Sequence, residues 1–215
     1  IIGNLFIKVF WDSVGDADML AQGTLYPDVI ESASNAKTKA SKIKTHHNRV
    51  EKILELQKQG KVLEPLAELF KDEVRELGLS LGIQPDIVNR HPFPGPGLAV
   101  RCPGEVTADR LRIIQECDSI FISLLRQNDW YDKVWQAYAA LVPVKTVGVK
   151  GDERSYEFAV SLRAVVSEDA MTADWVELPY QILRDSSNQI LNNVPGVNRV
   201  LYDVSTKPPA SIEWE

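Results

Sequence analysis

"RHPFPGPGLAVR", residues 90–101, decides how this chain divides. Three prolines and two glycines fall within the six residues 92–97. Proline fixes φ and removes a donor, so the stretch excludes helix and disfavours a central strand. A domain boundary is expected there, with residues 1–90 on one side and 91–215 on the other. "LAVR" reads as the first strand of the second half.

Downstream of it, "TADRLRIIQECDSIFISLLRQ" (107–127) reads as a helix. Thr107 is its expected N-cap, and Leu111, Ile114, Cys117, Phe121 and Leu125 form one apolar face. "LVPVKTVGVKG" and "YEFAVSLRAVV" are β-branched runs separated by the turn "KGDERS". "ELPYQILRDSSNQILNNV" predicts a second helix closed by Pro-Gly, and "VNRVLYDVS" a last strand. The expected order is βαββαβ, a two-layer α+β domain.

Upstream, "EPLAELFKDEVRELGLSLG" (64–82) has apolar residues at helical spacing from Leu66 to Leu81. "IIGNLFIKVFWDSV" (1–14) shows the same period, and "DMLAQGT" (18–24) reads as a short buried strand of an α/β domain. Between them the charge reverses. Residues 35–61 hold eight Lys or Arg against two Glu, whereas the chain as a whole carries a net charge of −6. Such a run is ordinarily a solvated face.

The acidic net charge argues against nucleic acid or an anionic membrane as partner. No apolar run approaches the roughly 20 residues that span a bilayer. The two cysteines, Cys102 and Cys117, form no CxxC and no disulfide scaffold, which favours a reducing, cytoplasmic setting. Three histidines without paired spacing make no zinc signature. The chain opens on Ile1, which suggests a piece of something longer.

Several residues suit phosphate and metal chemistry. Asp28 and Glu31 lie three apart in "YPDVIES" and would share a helical face, as a Mg²⁺ site needs. Lys44, His46 and His47, in "IKTHHN" inside the basic run, form a candidate phosphate clamp. "PFPGPG" is rigid and slender, suited to a linker or to close approach by a planar ligand. Arg154 in the "GDERSY" turn and Lys207 before two prolines are cations for a phosphate or carboxylate. Glu213 in the tail "KPPASIEWE" can accept from an N–H-bearing ring edge.

Taken together, "LAQGTLYPDVIES", "IKTHHN", "EPLAELFKDEVRELG", "RHPFPGPGLAVR", "VGVKGDERSYEF", "MTADW" and "GVNRVLYDVSTKPPASIEWE" resemble the glutamine-hydrolysing GMP synthetase family. The likeness runs in order over nearly the whole chain. It departs after Asn48, where many members carry Gly-Gly-Leu-Pro. Another ammonia-dependent ATP pyrophosphatase, such as NAD synthetase, is set aside for want of the "KPPASIEWE" tail. The family makes GMP from xanthosine monophosphate (XMP). ATP adenylylates the C2 oxygen, pyrophosphate leaves, and ammonia displaces AMP. The resemblance implies that residues 1–90 are an α/β remnant of the ATP pyrophosphatase domain, with a lid at about 28–61. Residues 91–215 are implied to be the α+β dimerisation and XMP-binding domain of a cytoplasmic homodimer. The ammonia would come from a glutaminase domain or subunit, and the pyrophosphate loop from a segment outside these residues. Alone, the chain is then expected to be an inactive dimerisation and substrate-binding fragment. Asp28 and Glu31 are implied to hold Mg²⁺ and ATP, and Lys44, His46 and His47 to close over the phosphates. Gln136, Arg154 and Lys207 are implied on the XMP phosphate side, and Ile212 and Glu213 on the base.

Overall fold

The computed structural model describes the chain except residues 1–8, 11, 14–16, 36–55 and 169. The basic segment with Lys44, His46 and His47, and most of the first expected helix, lie outside the described residues. The chain divides into two compact units, Ile1–Arg90 and His91–Glu215. Among the described residues, no helix is long and apolar enough to cross a membrane.

In the first unit, β1 (Leu20–Ala21) pairs in parallel with β2 (Val62–Leu63). β1 is where a strand was expected, but it is half-buried at Leu20 and exposed at Ala21. Helix α1 is Tyr26–Asn35. The helix expected from Glu64 begins later, as α2 at Lys71–Ser80. Residues 65–68 are turns, with Leu69 N–H bonded to Leu66 O at 3.0 Å. The start is set by a local cap: Glu73 accepts the Phe70 N–H at 2.7 Å, satisfying a donor that a helix N-terminus leaves orphaned. Phe70 also packs edge-on against Tyr26, with ring centroids 5.2 Å apart. A short helix α3 (Pro85–Val88) ends the unit.

The second unit corrects the expected βαββαβ order. "LAVR" is no strand: Gly97–Arg101 is a 3₁₀ helix. Gly97 turns the chain at φ +68°, and the tight turn carries Arg101 inward until it is 2% exposed. The elements that follow are α4 (Ala108–Gln127), β3 (Gln136–Lys150), β4 (Glu153–Val166), β5 (Asp174–Trp175), α5 (Tyr180–Asn193) and β6 (Val197–Tyr202). Thr107 caps α4 as expected, accepting the Arg110 N–H at 3.3 Å. β3 and β4 form a long antiparallel hairpin whose register shifts between Val142 and Lys145. Pro143 sits in that irregularity, where a missing N–H costs no ladder bond. β6 lies parallel to β4, which a crossover through α5 permits.

Residues of the hairpin alternate between two faces. Ala137, Ala139 and Leu141 of β3, with Val160, Leu162 and Ala164 of β4, pack against Ile114, Cys117, Phe121 and Leu125 of α4 and Ile182 and Ile190 of α5. Their neighbours in sequence, Gln136, Tyr138, Ser161, Arg163 and Val165, are buried as well, and Val165 packs with Ala173 and Ile212. The chain after β6 therefore covers the sheet face that the helices leave.

The junction of α5 and β6 is tight. Gly196 has φ +94°, and an added Cβ would stand 3.1 Å from Ile113 Cδ1 of α4. Gly196→Ala should destabilise the unit by about 1–2 kcal/mol, from left-handed backbone strain alone. Urea unfolding of the 215-residue chain checks it, and an unchanged midpoint would refute it.

Candidate functional site

The covered face holds a polar cluster that is unusual for a sheet interior. Tyr138 and Arg163 are direct cross-strand partners on β3 and β4. Both aim at the tail. The Tyr138 hydroxyl donates to Ile212 O at 2.6 Å, and Arg163 Nε donates to the same oxygen at 2.9 Å. Arg163 also donates to Ser205 O at 3.1 Å and Ser211 O at 3.0 Å, and pairs with Asp203 at 2.9 Å. Trp214 Nε1 donates to the same carboxylate oxygen, Asp203 Oδ2, at 3.1 Å. Burial alone would raise the Asp203 pKa. The side-chain and backbone bonds from Ser205, the Arg163 charge and Trp214 outweigh it and hold the carboxyl below its ordinary 3.8.

Two pairs upstream, on the same face, Gln136 opposes Val165. Its amide donates to Glu213 Oε1 at 2.7 Å and to Pro92 O at 3.0 Å. Arg101 reaches both Glu213 oxygens at 3.3 Å and Asp118 at 3.6 Å. Its guanidinium lies 4.5 Å from the Tyr138 ring centroid and 5.0 Å from that of Phe93. Asp118 also accepts the Ala139 N–H at 2.9 Å, and burial raises its pKa from 3.8 despite that bond and Arg101. Lys207 pairs its backbone with Ala173 and donates Nζ to Ala170 O at 2.7 Å. It lines an open cavity of about 660 Å³ with Ser167, Glu168, Thr172, Asp174 and Thr206.

The sequence-predicted residues thus separate into groups. Gln136 and Glu213 touch, and Ile212 sits beside them through Tyr138 and Val165. Lys207 joins the same tail. Arg154 does not: it pairs with Val149 at the exposed hairpin tip, eleven residues along β4 from Val165, or roughly 35 Å at strand rise. Alternation could not reveal this, because the strand is far longer than the apolar run within it. Asp28 and Glu31 share helix α1, and Asp28 Oδ2 accepts the Leu25 N–H at 3.0 Å, helping to start that helix. Among the described residues, no group of three or more His, Cys, Asp or Glu is placed to hold a metal. Sequence reasoning missed Arg101, Tyr138 and Arg163. The available signal was an Arg or Tyr at an inward position of an otherwise apolar strand, which demands a buried partner.

Comparison with known proteins bears on what the cluster serves. Residues 123–214, which include β3 to β6 and the tail, match the family described as GMP synthase C terminal domain. This segment belongs to the GMP synthase C-terminal domain family. The whole chain also aligns with proteins named GMP synthase [glutamine-hydrolyzing]. It is 57% identical over 220 residues to one from Thermotoga petrophila, covering all of this chain and 43% of that protein. It is 58% identical over 217 residues to one from Christiangramia forsetii, covering 42% of it, and 53% identical to one from Roseobacter denitrificans, covering 41%. The chain spans less than half the length of these relatives. Gln136, Tyr138, Arg163, Asp203, Lys207, Ile212, Glu213 and Trp214 of the polar face fall within the matched residues, whereas Pro92, Arg101 and Asp118 precede them.

His91 anchors the start of that domain's sheet. Its Nδ1 accepts the Ala137 N–H at 3.2 Å, so Nε2 carries the proton and donates to Tyr131 O at 2.8 Å. The ring stacks on Tyr131 at 3.8 Å between centroids. Burial, helped by the Arg126 charge, lowers the imidazole pKa from 6.5 against the opposing pull of the Tyr131 carbonyl and Asp132. With the folded pKa depressed, the unfolded chain takes up the proton first. The stabilisation is complete above about pH 6.5 and lost as pH falls through the folded value. The melting temperature should fall on acidification below 6.5. His91→Phe, which keeps a stacking ring, should melt lower at pH 8 yet depend less on pH across that window. Parallel pH profiles for the two proteins would refute the role.

Proposed function

We propose that this chain supplies the XMP-binding, lid and dimer-forming parts of an enzyme that converts XMP to GMP with ATP and glutamine-derived ammonia. The reaction joins the C2 oxygen of XMP to the α-phosphorus of ATP with loss of pyrophosphate. Ammonia then forms the C–N bond at C2 and AMP leaves. The observation that carries this reading is the tail, fixed by its backbone on a polar sheet face with Lys207 at a cavity and Glu213 beside Gln136. Lys207 and Gln136 are read as donors to the phosphate side. Glu213 and the Ile212 segment are read as the base contacts. A carboxylate offers about four lone-pair sites, so the bonds from Gln136 and Arg101 leave capacity for a ring N–H. Arg154 falls outside this group within one chain.

Asp28 and Glu31 are the proposed Mg²⁺–ATP ligands of the first unit. Carboxylates one turn apart suit a hard cation, which would neutralise phosphate charge there. Lys44, His46 and His47 would close over those phosphates and keep water from a hydrolysable adenylyl intermediate. Without a pyrophosphate loop and a glutaminase, the chain by itself would bind substrate and dimerise but not turn over.

A homodimer through residues 91–215 is part of the reading. The hairpin runs past the reach of β6, which pairs only with residues 158–162 of β4. Along that extension Val144, Val149 and Tyr156 are 57%, 78% and 57% exposed. Apolar side chains on a two-stranded ribbon are what a second copy would cover. Light scattering at micromolar concentration should give twice the chain mass, and a monomer would refute this part.

Calorimetric titration in the full-length enzyme tests the binding roles. Removing one charge-assisted hydrogen bond to a desolvated ligand should weaken binding roughly ten- to hundred-fold. Lys207→Ala should lose that much for XMP and little for xanthosine, which lacks the phosphate. Glu213→Gln should weaken both alike. If Lys207→Ala leaves XMP affinity unchanged, the tail does not read the substrate.

A further inference from the structure

Arg163 is the largest fully buried side chain among the described residues, and all its described hydrogen bonds and its ion pair point one way. Its three nitrogens take the carbonyl oxygens of Ser205, Ser211 and Ile212 and the carboxylate of Asp203. These acceptors bracket Lys207 and stop one residue short of Glu213. With 0% of its surface exposed, Arg163 cannot meet a ligand.

We propose that Arg163 is a positioning residue for XMP recognition: its guanidinium fixes the backbone of residues 205–212 so that Lys207 and Glu213 are presented in register. The inference rests on the substrate reading above and adds a residue that the reading does not contain. Three features carry it. First, the fork is planar, and its donors meet carbonyls from the two ends of one seven-residue bend, Ser205 to Ser211. Second, Tyr138, its cross-strand partner, donates to the same Ile212 oxygen, so the last carbonyl before Glu213 is held from two strands. Third, Asp203 both neutralises the cation and accepts from Trp214, which ties down the residue after Glu213. Glu213 and Lys207 reach their partners, Gln136 and Arg101 for the one and Ala170 O for the other, from the positions that the tail backbone gives them. Their placement therefore depends on the backbone that Arg163 holds. A disordered tail would bind only after being ordered, and apparent affinity falls by the fraction of chains in the competent form.

The test uses the full-length enzyme with Arg163→Lys and Arg163→Met. Lysine keeps a charge facing Asp203 but cannot span three carbonyls. Arg163→Lys should raise the KM for XMP roughly ten- to hundred-fold, leave the KM for ATP unchanged, and speed amide exchange in residues 205–215 but not in β3 and β4. Arg163→Met should do the same more strongly. If it fails to fold, the lysine variant decides. Tyr138→Phe, which removes one of the two donors to Ile212 O, should shift the KM for XMP in the same direction by less. An unchanged KM for XMP in Arg163→Lys, or a uniform loss for XMP and ATP tracking the melting temperature, overturns the proposal. Lys207→Ala and Glu213→Gln run alongside. If these two leave XMP binding intact while Arg163→Lys still loosens the tail, the substrate reading has failed and the proposal falls with it. If they weaken XMP and Arg163→Lys does not, the positioning role alone is wrong.

Discussion

A guanidinium held under a tail governs this structure. Placing Arg163 at 0% exposure removes a cation from water, which costs several kcal/mol unless its donors and charge are met. The sheet cannot meet them: its ladder already uses the neighbouring backbone groups. Only the returning chain, with the carbonyls of 205, 211 and 212 and the carboxylate of Asp203, completes the set. The tail, in turn, has almost no regular secondary structure to satisfy its own carbonyls. Each side leaves the other unsatisfied when apart, so the two order together.

This explains the division of labour across one hairpin. Ala137, Ala139 and Leu141 of β3 and their partners Ala164, Leu162 and Val160 on β4 bury small and aliphatic side chains against α4 and α5, which supplies non-directional stability. The opposite set, Gln136, Tyr138 and Arg163, supplies directional bonds. A face built from hydrogen bonds fixes geometry more closely than one built from apolar contact, at the risk of a large penalty if one partner is lost. Arg101 extends this face toward the boundary loop, joining Phe93, Asp118 and Glu213. The proline-rich loop is thus part of the same assembly: Pro92 O accepts from Gln136, and Cys102, just beyond it, is buried in the helical core.

Much of the second unit was legible in the sequence. Helix α4, its Thr107 cap and its apolar stripe follow from i, i+3/i+4 spacing, because a helix presents that spacing as one face whatever it packs on. Two β runs parted by Gly-Asp read as a hairpin for the same local reason. The misreadings were also local. "LAVR" looks like a strand, but a strand needs a neighbour's edge, and here a buried Arg101 seeking carboxylates outweighs β-propensity. Residues 65–68 fit a helical period, yet the Glu73 cap on Phe70 starts the helix at Lys71, six residues after Pro65.

By itself, the sequence determined the elements with strong periodicity and the boundary at the prolines. These depend on interactions within a few residues. Tertiary structure alone decided that β6 lies parallel to β4, that Gln136 and Glu213 meet across 77 residues, and that Arg154 stands far from both. It also decided that Arg163 faces the tail. A strand residue's face is fixed by its register, and register is set by a partner strand and a covering chain that no local window contains.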